Sequence, residues 1–121
     1  MIVGIGVDVV AVARVEGLLE RHGERFLRRC LHPGEARRPA DGQHLAGILA
    51  AKEAAFKALG TGWGEGVGWR SVEVTRDAAG APKLALHGAA AARAAALEVE
   101  RAHLSISHAA GVAMAVVILE M

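Results

Sequence analysis

A chain of 121 residues is long enough to close one hydrophobic core, and we expect a single domain over residues 1–121. Hydrophobic residues make up 53% of the chain and charged residues 22%, with a formal net charge of +1. This composition is typical of soluble globular proteins and argues against a disordered chain and against a nucleic-acid partner.

The chain start and the cysteine content favour the cytoplasm. The opening residues, MIVGIGVDVV, lack the basic lead and the cleavage site of a secretory signal. The single cysteine, Cys30, excludes an intrachain disulfide. The longest apolar run, residues 112–119, is far shorter than the roughly 20 residues that span a bilayer. We therefore expect a cytoplasmic protein without a membrane anchor.

The first half of the chain predicts a strand and two helices. Residues 2–10 alternate small and β-branched side chains, which favours a mostly buried first strand. Apolar residues then recur at helical spacing from Val12 until Gly23, a natural helix terminator. Residues 43–59 are rich in Ala and apolar at helical spacing, so they predict the longest helix. The glycine-rich residues 60–68 predict a loop.

The second half predicts two strand pairs around one helix. Residues 71–75 and 82–87 predict the first pair, and residues 89–100 an Ala-rich helix. Residues 103–108 and 112–120 predict the closing pair. Because strands and helices do not alternate strictly, we expect an α+β fold with a largely antiparallel sheet packed on the long central helix.

Two carboxylates stand out because their surroundings are apolar. Asp8 lies inside an apolar strand, where an ionised carboxylate is costly unless it is paired or binds a cation. It could instead cap the following helix. Glu53 and Lys57 are spaced for a surface ion pair worth about 0.3–0.5 kcal/mol. However, they and Lys52 are the only charges of an otherwise apolar helix, where charged residues tend to be functional or paired.

Two carboxylates without a neighbouring Cys or a His pair at ligand spacing suit a hard cation such as Mg²⁺, which binds carboxylate, phosphate and water oxygens. The residues after the long helix, Gly60, Thr61 and Gly62, could offer backbone N–H groups to a phosphate. No complete phosphate-binding motif is present, and a flexible hinge is the simpler interpretation of this glycine-rich segment.

One strand carries hydroxyl and imidazole groups on the same face. Ser105, Ser107 and His103 share that face, and His108 is predicted to begin the following turn. We do not infer a Ser–His nucleophile pair. The sequence lacks a G-x-S-x-G elbow, and a strand-end histidine more often serves as a hydrogen-bonding group.

Arginines follow the outer side of the first helix and its continuation: Arg14, Arg21, Arg25 and Arg28. They could form an ordinary solvated face with internal Glu–Arg pairs, or a docking surface for an acidic partner.

Four motifs in order resemble the short 4′-phosphopantetheinyl transferase family, the holo-acyl-carrier-protein synthases. GIGVDVVAVAR (4–14) resembles the family's G-x-D opening with an Arg six residues after the Asp. AAKEAAFKALGTG (50–62) resembles its A-K-E-A-x-x-K-A-x-G-T-G helix and loop. AAGAP (78–82) resembles its G-x-P turn, and LSISHAAGVAMAVV (104–117) its closing S-x-S-H hairpin. The resemblance covers almost the whole chain.

The resemblance implies an enzyme of fatty acid biosynthesis that transfers 4′-phosphopantetheine from coenzyme A to a serine of apo acyl carrier protein, releasing adenosine 3′,5′-bisphosphate. It implies Asp8 and Glu53 as ligands of a Mg²⁺ cofactor and Lys57 as a phosphate contact. Glu53 acting through a water molecule, or His108, would accept the serine proton.

The resemblance also implies partners and an assembly. Coenzyme A would bind beside His108 and the loop of Gly60, Thr61 and Gly62. The acidic carrier protein would dock on the four arginines, and the chain would form a homotrimer with active sites between subunits.

One departure from the family pattern concerns phosphate binding. The family commonly has an Arg five residues before the Glu, whereas this chain has Ile48. Lys52, Lys83 or Arg70 could compensate. A coenzyme A-binding trimer without turnover, and an acceptor from polyketide synthesis, are the alternatives that remain.

Overall fold

The structure is a computed structural model that describes residues 1–35, 41–61 and 67–121. Its helices and strands follow in the order β1 (Ile2–Ala11), α1 (Val12–His22), α2 (Glu24–Cys30), α3 (Gly42–Leu59), β2 (Val72–Arg76), β3 (Pro82–Leu86), α4 (Gly88–Ala96), β4 (Arg101–Ala109) and β5 (Val112–Glu120). Short 3₁₀ turns occupy Pro33–Glu35 and Trp69–Ser71. In the described part of the chain, no helix combines the length and the apolar character needed to cross a membrane.

The strands form two antiparallel sheets. One has the order β1-β5-β4, and the other pairs β2 with β3. The central helix α3 packs on β1 and β5 and is buried along most of its length. The predicted α+β fold is confirmed, with the difference that the strands divide into two sheets instead of one.

Glycines in β1 let this strand approach α3 at backbone distance. A Cβ atom at Gly4 would overlap the carbonyl oxygen of Ala58, and one at Gly6 would overlap that of Ala54. Because side chains alternate along a strand, Gly4, Gly6 and Asp8 all face the helix. The β1–α3 crossing therefore brings Asp8 directly against the last turns of α3.

The prediction of a mostly buried first strand is wrong for one face of β1. Ile5, Val7 and Val9 are 60%, 48% and 56% exposed. They alternate with the residues that face α3, so they project from the side of the sheet that no helix of the described residues covers. We define this open sheet face by these three residues together with Met114 of β5, which is 42% exposed.

Two helices differ from the sequence prediction. The first helix ends at Gly23, as expected, but a separate helix α2 begins there because Gly23 adopts φ +49° and redirects the chain. The predicted helix 89–100 ends at Ala96, four residues early. Glu98 adopts φ +60°, which interrupts the helix and leads the chain into β4.

The closing hairpin is longer than predicted. Ala110 and Gly111 both have positive φ, 52° and 76°, as the tight two-residue turn between β4 and β5 requires. Strand β4 consequently extends to Ala109, and His108 lies in the strand and not at the start of the turn.

A buried ion pair fastens the connection before α3 to the helix itself. The Lys52 Nζ atom lies 2.6 Å from Glu35 Oε1 and 2.8 Å from the carbonyl oxygen of Trp69. The Glu35 carboxylate also accepts the backbone N–H groups of His32 and Val74. Burial lowers the pKa of Lys52, and the Glu35 carboxylate acts in the opposite direction. The hydrogen bonds that the Glu35 carboxylate accepts therefore stabilise the fold.

We predict that Gly6→Ala lowers the free energy of unfolding by about 3 kcal/mol or more, because the added methyl group meets helix backbone that cannot rotate away. Chemical denaturation at one fixed protein concentration measures the change. Gly68→Ala is the matched control, since a Cβ atom there meets nothing within 4 Å. Equal stability of the two variants would show that β1 does not depend on the close approach.

Candidate active site

Asp8 and Lys57 meet at the β1–α3 crossing. The Lys57 ammonium donates to Asp8 Oδ1 at 3.0 Å and to the carbonyl oxygen of Val7 at 3.0 Å. The Asp8 side chain is 11% exposed and that of Lys57 55%. Asp8 does not cap the following helix, because the residue at the N-cap of α1 is Ala11 and no side chain caps it. Asp8 is thus a carboxylate aimed at α3 with one cation beside it.

Glu53 shares this space with Asp8. Burial, a side-chain hydrogen bond with Asp8 and the charge of Asp8 raise the pKa of Glu53 to about 7. Arg14 and Lys57 act in the opposite direction. Ionisation of one carboxyl group therefore disfavours ionisation of the other, as expected of a pair that shares one site. Lys57 does not serve as an ordinary surface partner of Glu53, because its ammonium is bound to Asp8.

The carboxylate pair fits a hard divalent cation. Asp8 Oδ2 is buried and has no hydrogen-bond partner among the residues that the structure describes. A buried oxygen without a partner is costly, and so are the burial and the neighbouring charge of Asp8 that help to raise the pKa of Glu53. A cation bound by both carboxylates would relieve both costs, and oxygen-only donors match Mg²⁺ better than a soft metal. Asp8 and Glu53 could therefore hold magnesium.

The predicted phosphate loop is only partly described. Gly60 ends α3 in the left-handed conformation, and its N–H donates to Lys57 O at 3.1 Å. The N–H of Thr61 donates to Phe56 O at 3.3 Å. In this conformation both N–H groups bind helix carbonyls and do not face outward to a phosphate. Gly62 lies outside the described residues.

His108 lies at the opposite end of α3. Its Nε2 atom is 3.0 Å from the carbonyl oxygen of Gln43, and its ring packs over Gly47. The strand register places the backbones of Asp8 and His108 about 12 Å apart, from strand spacing and rise. One chain therefore does not bring His108 together with the carboxylate pair.

The serines of β4 do not form a nucleophile pair with a histidine. Ser105, Ser107 and His103 share one face of β4, as predicted, and His108 lies on the other face. The His103 Nε2 atom lies 2.5 Å from Glu120 Oε1, so its ring is engaged with a carboxylate and not with a hydroxyl group.

The four predicted arginines are all exposed, but they do not form one equivalent set. Arg14 lies close enough to Glu53 to lower the pKa of that carboxyl. Arg21 follows Arg14 by two helical turns on the same side of α1, and Arg25 and Arg28 lie one turn apart on α2.

Arg25 also borders a groove of about 580 Å³ whose other walls include Leu18, Phe26 and Trp69. Sequence analysis did not identify this groove, because it forms only where α1, α2 and a distant turn meet.

Ile48 is buried and borders a cavity of about 410 Å³. Of the residues suggested to replace the missing Arg, Lys52 is excluded because its ammonium is completely buried with Glu35. Arg70 and Lys83 are exposed. The sequence analysis overlooked Arg76, which borders the same cavity as Ile48.

Comparisons with known proteins agree on one family. A family model for the 4′-phosphopantetheinyl transferase superfamily matches residues 4–117. The chain is 52% identical over 122 residues to the holo-[acyl-carrier-protein] synthase of Solidesulfovibrio magneticus, covering 99% of both chains. Its fold is similar to the crystal structure of the Neisseria meningitidis holo-[acyl-carrier-protein] synthase, with a TM-score of 0.91, 33% identity and 100% of both chains covered. The Helicobacter pylori synthase in complex with coenzyme A gives a TM-score of 0.82 at 30% identity, over 96% of this chain and 99% of that one.

Proposed function

The chain belongs to the 4′-phosphopantetheinyl transferase superfamily, and on that premise we propose that the β1–α3 crossing is its catalytic site. The protein transfers the 4′-phosphopantetheine group of coenzyme A to a serine of apo acyl carrier protein and releases adenosine 3′,5′-bisphosphate. The carboxylate pair of Asp8 and Glu53 beside Lys57 carries this proposal, together with 52% identity to a holo-[acyl-carrier-protein] synthase.

The residues at the crossing supply charge where a pyrophosphate would bind. Asp8 and Glu53 would hold Mg²⁺, which supplies positive charge that neutralises the phosphate oxygens as the leaving group departs. Lys57 is anchored by Asp8 and by Val7 O, so its ammonium is fixed at the exposed rim of the site. Arg14 adds a second positive charge near Glu53. This arrangement suits positioning and electrostatic stabilisation of a phosphoryl group.

The serine proton needs an acceptor, and two candidates remain. Glu53 lies in the site itself, whereas His108 of the same chain lies at the far end of α3. His108 therefore takes part only if it comes from a partner subunit, which agrees with an active site between subunits.

We propose that the open sheet face is covered by further copies of this chain in a homotrimer. Ile5, Val7, Val9 and Met114 present apolar side chains side by side, and contiguous exposed apolar surface of this kind marks interaction sites. The face is continuous with β1, which also carries Asp8. Asp8 lies on the opposite face of β1, which is at the edge of the sheet, so an assembly that also packs around this edge would place each carboxylate pair near a subunit boundary.

The proposed carrier-protein surface follows α1 and α2. Arg21, Arg25 and Arg28 are exposed and suit an acidic protein, while Arg14 lies between this surface and the carboxylate pair. We place the reaction in the cytoplasm, because Cys30 is a free thiol, as is usual in a reducing compartment.

We predict that Asp8→Asn and Glu53→Gln each lower transfer to apo acyl carrier protein by at least about a hundredfold, because ligand loss exceeds the effect typical of outer-shell changes around a metal. The intact mass of the carrier protein after incubation with coenzyme A and Mg²⁺ reports the transfer. Chelation of the metal should abolish it. Glu100→Gln removes an exposed carboxylate before β4 and serves as the control.

Wild-type transfer by both variants would overturn the metal assignment. A wild-type chain that binds coenzyme A without adding mass to any carrier protein would indicate a binding protein and not a transferase. Comparison of fatty acid and polyketide carrier proteins in the same assay identifies the acceptor.

We predict that Val9→Glu dissociates the assembly, because a carboxylate on the open sheet face would be buried without a partner. Light scattering after size exclusion should give three times 12.5 kDa for the wild type and the monomer mass for the variant. Ala81→Glu, in the exposed turn between β2 and β3, is the control. A trimeric Val9→Glu variant would exclude the open sheet face as the interface.

We predict that Arg21→Glu combined with Arg28→Glu raises the KM for carrier protein at least tenfold and changes the KM for coenzyme A less than twofold. The effect should shrink at high ionic strength, since exposed charges are screened there. Arg14 is left unchanged because it lies near Glu53. Ala81→Glu, which adds a negative charge in the exposed turn between β2 and β3, is the control. Equal changes in both KM values would argue against a docking surface on these helices.

A further inference from the structure

Two histidines and a glutamate converge on elements other than those that carry the carboxylate pair. His32 follows α2, Glu73 lies in β2, and His87 lies between β3 and α4. One nitrogen atom of each imidazole and one carboxylate oxygen of Glu73 all lie within 4.8 Å of one another. Neither the phosphopantetheinyl transfer nor the proposed docking surface uses these side chains.

Two of the three separations between donor atoms lie near the value expected in a metal site. The His87 Nε2 atom lies 2.9 Å from Glu73 Oε1, and the His32 Nδ1 atom lies 3.5 Å from the same oxygen. In a tetrahedral zinc site with bonds of about 2.0–2.1 Å, neighbouring donor atoms are about 3.3 Å apart. The two imidazole rings stack with centroids 4.4 Å apart and an interplanar angle of 13°. An imidazole lone pair lies in the plane of its ring, so one of the two stacked rings has to turn out of this stack before both nitrogen atoms can bind one ion.

The local fold builds this arrangement. In the β2–β3 hairpin, Glu73 pairs with Ala85, and the N–H of His87 donates to Ser71 O at 2.8 Å. This register places Glu73 and His87 on the same face of the hairpin. A Cβ atom at Gly34 would overlap Glu73 Oε2, so glycine at this position makes room for the carboxylate.

The tautomer of His32 that the Gly34 hydrogen bond indicates is one that a metal can bind. The N–H of Gly34 donates to His32 Nδ1 at 3.1 Å, so this nitrogen has a lone pair and no proton. A metal would take the lone pair in place of that weak contact. Lys52 is near enough to Glu73 to interact with its charge, but Glu35 neutralises the ammonium. The three side chains are 27%, 15% and 43% exposed, so an ion can reach them.

We propose that His32, Glu73 and His87 form a binding site for Zn²⁺ or a similar borderline transition-metal ion. Imidazole and carboxylate donors are typical ligands of such ions, and three protein ligands leave a coordination position for water. The bound ion links the connection after α2 to the β2–β3 hairpin and to the start of α4. This site is distinct in donor chemistry from the oxygen-only pair of Asp8 and Glu53.

The test is a Zn²⁺ titration of the full chain in excess Mg²⁺, with affinity measured by competition against a chromophoric chelator. We expect the wild-type chain to bind one Zn²⁺. The variants His32→Gln and His87→Gln should each bind Zn²⁺ at least tenfold more weakly, since even outer-shell changes cost about 10- to 100-fold in metal affinity. His103→Gln is the matched control, because His103 also contacts a glutamate but is not part of this cluster. Its affinity for Zn²⁺ should equal that of the wild type.

A measurement on the wild type guards against variants that fail to fold. Imidazole NMR signals of His32 and His87 should shift on addition of Zn²⁺, while those of His103 stay unchanged. Wild-type affinity for Zn²⁺ in both cluster variants would overturn the proposal, and so would ring signals of His32 and His87 that do not respond to the metal. Those results would identify the three side chains as a hydrogen-bonded cluster only.

Discussion

The backbone contact between β1 and α3 is the constraint on which the rest of the structure depends. It exists because Gly4 and Gly6 lack the Cβ atoms that would overlap the carbonyls of Ala58 and Ala54. With glycine at these positions the strand lies directly on the helix, and the next residue on the same face is Asp8. Packing of the core and placement of a carboxylate against Lys57 are thus consequences of one contact.

The same contact between β1 and α3 explains why Asp8 and Glu53 lie close together among apolar residues. Neither Asp8 nor Glu53 would be stable there without neighbours, because burial and mutual repulsion disfavour their charged forms. The helix supplies Lys57 to one oxygen of Asp8, and Arg14 reaches Glu53 from the start of α1. The arrangement still leaves Asp8 Oδ2 without a protein partner among the described residues, which favours a cation as the missing neighbour.

Sequence alone predicted the parts of this protein that local patterns encode. The long helix and the closing strands are visible from the spacing of their apolar residues, and Asp8 and Glu53 are visible because each charge interrupts an apolar run. The exposed face of β1 was missed because Ile and Val alternate with glycine, so both faces of the strand look apolar. The buried pair of Lys52 and Glu35 and the cluster around Glu73 could not be predicted, because each joins residues distant in the chain. Hairpin register and helix packing decide such contacts, and no local pattern reports them.

The open sheet face and the isolated position of His108 have a common structural origin. Within the described residues, α3 covers one face of the three-stranded sheet and leaves the apolar residues of β1 on the other face exposed. Asp8 and His108 also lie beside opposite ends of α3, Asp8 next to its last turns and His108 next to its first. A neighbouring chain that covers the open sheet face and also packs around the β1 edge could bring its own histidine to the carboxylate pair on the other side of the sheet. Assembly would then both bury the apolar surface and complete the site. This would explain why a single small chain leaves the apolar residues of β1 exposed and His108 far from the carboxylate pair.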